Sequence, residues 1–94
     1  MLVPFKLNVP DPSDEEFHRI FEMAAADFSC EYDPSAVDYL LEHHYRPKNR
    51  PLRRCHPRDL LLQVRCYCAY NGIPMSMSTE ALDMAFENYF TVVG

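Results

Sequence analysis

Arg46-Pro-Lys-Asn-Arg-Pro-Leu-Arg-Arg-Cys-His-Pro-Arg58 holds six of the chain's nine Lys and Arg residues in thirteen positions. The rest of the chain carries fourteen acidic residues against three bases. A basic, proline-stiffened loop that runs into a helix N-terminus suits an anion, because free backbone amides and the helix dipole add to the guanidiniums. Arg58 is the sharpest candidate. It lies in the first turn of the helix that Pro57 opens, where the dipole disfavours a cation. Helical side chains lean back toward the N-terminus, so its guanidinium reaches over the free amides of that turn. A structural ion pair with Asp59, or with an acid of the first helix, is the competing explanation. Arg50, Arg53 and Arg54 form a second candidate anion-binding group within the loop itself.

Other chemistries fit the spacing less well. Cys66 and Cys68, with His43, His44 and His56 elsewhere, raise the question of zinc. On a helix the two thiols point about 160° apart and cannot share one ion. His43 and His44 are adjacent, without the four-residue spacing that puts two imidazoles on one face. No metal site is therefore expected. Cys55 lies beside His56 in an electropositive loop, yet no third group is positioned to make it a nucleophile. The acidic residues gather at helix starts, where capping accounts for them. Only two glycines occur, Gly72 and Gly94. Neither a G-x-x-x-x-G-K phosphate loop nor a G-x-G-x-x-G turn can be built from them.

A net charge of −5 argues against general nucleic-acid binding, which depends on phosphate neutralisation. Residues 1–10 alternate apolar and polar and include Pro4 and Pro10, unlike a signal peptide. No run is long enough to span a bilayer. A cytoplasmic protein whose four cysteines stay reduced is the expectation, with the thiols read as small buried hydrophobes.

The elements that would position Arg58 are legible. Residues 4–12 alternate Phe5, Leu7 and Val9 with polar neighbours, which predicts a short extended linker. Ser13-Asp-Glu-Glu16 is a capping box, and Phe17, Ile20, Phe21, Ala24 and Phe28 follow at helical spacing, predicting a helix at about 14–28. Asp33-Pro34 repeats the start signal for a helix at about 34–45 with Val37, Leu40, Leu41 and His44 on one face. Pro47 is expected to end it by pushing Arg46 out of the helical region. A third helix runs from Pro57 to about Asn71, closed by Gly72. Ser78 caps a fourth, with Leu82, Ala85, Phe86 and Tyr89 on one face to about Phe90. Tyr67, Tyr70, Tyr89 and Phe90 read as core and rim. The fold class is all-α, a small four-helix, bundle-like domain over 13–94 preceded by an extended linker over 1–12.

The third helix carries two faces. Leu60, Leu61, Val64, Tyr67 and Cys68 cluster on one side, making it the central helix of the bundle. Arg58, Leu62, Arg65 and Ala69 gather on the other. Leu62 and Arg65 are candidates for contact with another domain or partner. A solvated face with one stray leucine explains them equally well.

In this order, the chain resembles the C-terminal helical lid domain of an AAA+ ATPase, from about Phe5 to Phe90. Residues 4–12 resemble the link leaving the nucleotide-binding domain, and the acid-capped helix with Phe17, Ile20 and Phe21 resembles the first lid helix. His56-Pro57-Arg58-Asp59-Leu60-Leu61 resembles the second-sensor motif. The resemblance implies that Arg58 faces the γ-phosphate of ATP, held with Mg2+ by a nucleotide-binding domain earlier in a longer chain. It also implies a lid that hinges about residues 8–13 with nucleotide state, and neighbouring subunits where a ring forms. The 94 residues alone would show no turnover. The alternative is a small helical interaction module whose basic loop docks an acidic protein or single-stranded nucleic acid.

Overall fold

The computed structural model describes residues 10–92. Four α-helices are present, α1 (Asp14–Asp27), α2 (Pro34–Leu40), α3 (His56–Tyr70) and α4 (Thr79–Val92), with no strand among the described residues. The domain is a small all-α bundle. Most of the linker expected over 1–12, and part of the hinge expected over 8–13, lie outside the described residues.

The helix starts follow their capping residues. Ser13 and Glu16 form a reciprocal box, with Glu16 N–H donating to Ser13 Oγ at 3.2 Å and Ser13 N–H to Glu16 Oε1 at 3.0 Å. Asp33 Oδ1 accepts from Ser35 N–H at 3.0 Å, and Ser78 Oγ from Ala81 N–H at 3.2 Å. Two helix ends share one closure. After α3, Gly72 N–H donates to Ala69 O and Ile73 N–H to Cys68 O, with Gly72 at φ 67. After α1, Ser29 N–H donates to Ala26 O and Cys30 N–H to Ala25 O, with Ser29 at φ 55. Both are Schellman motifs, whose left-handed residue favours glycine; α1 makes the turn with a serine.

The second helix departs from expectation. Regular α-helix ends at Leu40, a π turn covers Leu41–Tyr45, and a 3-10 turn covers Arg46–Lys48. Arg46 keeps helical dihedrals (φ −64, ψ −43) although Pro47 follows, so the proline does not stop the helical path there. Asn49 stops it, at φ 53. A π turn closes over one more residue than an α turn. Here it delivers Tyr45 to the core, 2% exposed, and leaves His44 at the core's rim.

Helix α3 packs against both α1 and α4. Phe17, Phe21, Val37, Leu40, Leu60, Leu61, Val64 and Leu82 are fully buried. Each such side chain contributes about 1.5–3 kcal/mol by leaving water. Tyr67, Tyr89 and Phe90 sit at the rim as expected, whereas Tyr70 is 91% exposed. It is the last residue of α3 and belongs to neither core nor rim.

Candidate functional site

The start of α3 is built from inside outward. Cys55 occupies the N-cap position and offers no side-chain cap, while Pro57 lies within the first turn. His56 N–H donates to Arg53 O at 3.2 Å and Asp59 N–H to Cys55 O at 3.1 Å. This turn is anchored by His56, which is buried against Tyr45. Their side chains share a 2.8 Å hydrogen bond between Tyr45 Oη and His56 Nδ1. Burial, reinforced by the cations of Arg53 and Arg50, pushes His56 down to about 4. Burial likewise raises the Tyr45 hydroxyl. Both are therefore neutral near pH 7. Rings of Phe17, Phe86 and Phe90 surround Tyr45 at centroid separations of 5.5, 5.3 and 6.5 Å.

Arg58 leaves that seat on the solvent side. Its Nη2 donates to Asp27 Oδ2 at 2.8 Å, both side chains being largely exposed. Asp27 is the last residue of α1, where the dipole disfavours an anion, just as the start of α3 disfavours a cation. Two charges that their own helices oppose thus meet each other. The guanidinium lies 5.7 Å from the Phe28 ring centroid, and Arg65 lies 5.0 Å from the same ring. Leu62 is 40% exposed on that face. A shallow groove of about 240 Å³ runs beside it, lined by Ile20, Met23, Asp27, Arg54 and Arg58 among others.

The basic loop does not gather its arginines into one patch. Arg46 bridges Asp14 at 2.6 Å and Glu42 at 2.7 Å. Arg53 reaches Asp11 at 3.9 Å. Arg54 lies 3.6 Å from Glu16 and donates from Nε to Pro10 O at 3.2 Å. These contacts fold the loop onto the acidic start of α1. Arg50 behaves differently. Its guanidinium carbon stands 4.0 Å from the Phe90 ring centroid, and its buried Nε has no hydrogen-bond partner. Arg50, Arg53 and Arg54 therefore face different surroundings, and two of the three are shared with acids of this chain.

Two polar clusters escaped the reading of the sequence. His18 bridges Tyr32 Oη at 2.8 Å and Asp38 Oδ1 at 2.9 Å, tying α1 to α2. His44 Nε2 meets Asp83 Oδ1 at 2.6 Å, and Tyr39 Oη donates to the same carboxylate at 3.0 Å. Partners separated by fourteen to forty-four positions give no local sequence signal. The buried His56–Tyr45 pair had one faint cue, a histidine ahead of the proline that opens a helix. All four cysteines are free, with Cys30 and Cys68 buried and Cys55 and Cys66 exposed.

A small all-α domain with one exposed arginine at an uncapped helix start is the class that fold and site define. Residues 13–88 match the family described as Domain of unknown function (DUF8689), and the chain belongs to that family. No curated protein matches the chain, and no solved structure does. No helix among the described residues is long and apolar enough to cross a membrane.

Proposed function

We propose that this domain is the lid of an AAA+ ATPase and that Arg58 is its second-sensor arginine. The observation that carries the reading is the state of Arg58. It stands at the uncapped start of α3 and is held by a single exposed carboxylate, Asp27. An exposed pair of this kind is worth about 0–1 kcal/mol. Hydrogen bonds to a phosphate in a closed cleft are charge-assisted and stronger. The guanidinium is thus free to exchange Asp27 for a phosphate oxygen without disturbing the buried His56–Tyr45 seat beneath it. ATP and Mg2+ would be held by a nucleotide-binding domain earlier in the chain, which Leu62 and Arg65 would face.

The test is Arg58→Ala in the natural full-length protein. ATP turnover, or the nucleotide-driven movement of the lid, should fall at least tenfold while the helical circular dichroism is unchanged. Wild-type turnover together with wild-type lid movement would refute the assignment. So would ATP hydrolysis by the 94 residues alone.

A further inference from the structure

Helices α3 and α4 leave a groove of about 240 Å³ between them, lined by Gln63, Cys66, Tyr67 and Tyr70 of α3 and by Met84 and Asn88 of α4 among others. The α3 residues recur at helical spacing over two turns, so the groove runs for about 10 Å. Its apolar groups are open to solvent, Tyr70 being 91% and Met84 45% exposed. Tyr67 is half-buried, packs on the core and gives the groove a floor. An exposed apolar strip with no part in the core marks a contact surface.

The charge around the groove has one sign. Glu80 lies four residues before Met84 and Glu87 three after it, so both share its stripe of α4. Both are exposed, and neither enters an ion pair among the described residues. The other acids of the two helices' facing sides are occupied, Asp83 by His44 and Tyr39 and Asp59 by Tyr89. No lysine or arginine occurs from Cys66 to Gly94. The cations of α3, Arg58 and Arg65, stand on its other side beside Phe28.

We infer that this groove docks a basic amphipathic helix of a partner protein. A helix laid between two others buries its apolar face in the groove they form, here against Tyr67, Tyr70 and Met84. Lysines or arginines flanking that face reach Glu80 and Glu87, and no cation of this chain competes for them. A second copy docking through the same face would set acids against acids. A nucleic acid or an anionic lipid surface would meet the same repulsion. The groove is separate from Arg58 and does not depend on the lid reading.

The experiment follows the backbone amides of the wild-type chain by 1H–15N NMR. A helical peptide of about 15 residues, with leucines on one face and lysines flanking them, is titrated in. The controls are the same peptide with glutamates in place of lysines, and a concentration series of the chain alone. Saturable shifts centred on residues 63–70 and 80–88 that weaken as salt rises support the inference. No saturation, shifts centred elsewhere, or equal binding of the acidic peptide overturns it. Shifts at the same residues when the chain alone is concentrated also overturn it, because the occupant is then a second copy. Glu80→Gln combined with Glu87→Gln keeps the shape and removes the charge, so affinity should fall roughly tenfold. Tyr70→Ala, at a side chain outside the core, should weaken binding about as much. Undiminished affinity in either variant overturns the inference. Should the double variant fail to fold, as its circular dichroism would report, Tyr70→Ala and the acidic peptide decide.

Discussion

His56 is 6% exposed and the Arg58 side chain 60% exposed, although only Pro57 stands between them. His56 is neutral, enclosed by Tyr45, Tyr89 and Phe90, and hydrogen-bonded inside the core. Arg58 is charged, held by one exposed carboxylate, and surrounded by water on its open side. One turn of helix thus joins a structural seat to a displaceable charge. The buried His56–Tyr45 hydrogen bond fixes the turn of backbone from which Arg58 projects.

The largest effect should come from emptying the seat. Tyr45→Ala removes a ring packed against Phe17, Phe86, Phe90 and His56. It should cost about 3–5 kcal/mol, as large aromatic truncations in cores do. Urea denaturation measures it. A loss below about 1 kcal/mol, the range of ordinary surface changes, would mean that the seat is not structural.

Next comes acid. The imidazole of His56 titrates near 4 when folded, against an ordinary 6.5. Above pH 6.5 neither the folded nor the unfolded chain binds the proton, and the seat's contribution is complete. As pH falls from 6.5 the unfolded chain takes up a proton that the folded chain refuses, so stability declines until about pH 4. The gap between the two values corresponds to about 3 kcal/mol lost across that window. Carboxylates begin to titrate at its lower end, so the quantity to measure is the difference between wild type and His56→Gln. Equal pH slopes for the two proteins would show that His56 ionises freely in the fold.

Much of this layout was readable in advance, and the limits have physical causes. Ser13, Asp33 and Ser78 announce their helices because capping acts within three residues. The split of α3 into a buried face with Leu60, Leu61 and Val64 and an exposed one with Arg58, Leu62 and Arg65 follows from helical period alone. The π turn at Leu41–Tyr45 was not legible. It ends at Tyr45, whose ring packs against Phe17, His56, Phe86 and Phe90 of α1, α3 and α4, and no local pattern encodes those distant partners. The loop posed the same difficulty. Six cations in thirteen positions look alike in sequence, yet Arg50 faces aromatic rings while Arg46, Arg53 and Arg54 face acids of α1 or beside it.

The smallest effect is expected at Arg58, and its smallness carries the contrast. Arg58→Ala removes an exposed pair with Asp27 worth about 0–1 kcal/mol. It also removes a cation from the positive end of α3, a relief of about 0.3–1 kcal/mol. The two terms oppose each other, so thermal unfolding should register a net change within about 0.5 kcal/mol. Asp27→Asn should be equally mild, because it lifts an anion from the negative end of α1 as it breaks the same pair. A loss above about 2 kcal/mol in either variant would place Arg58 with His56, as part of the structure. A near-zero change would leave it as a charge that folding does not require, which is the state a ligand-seeking arginine should occupy.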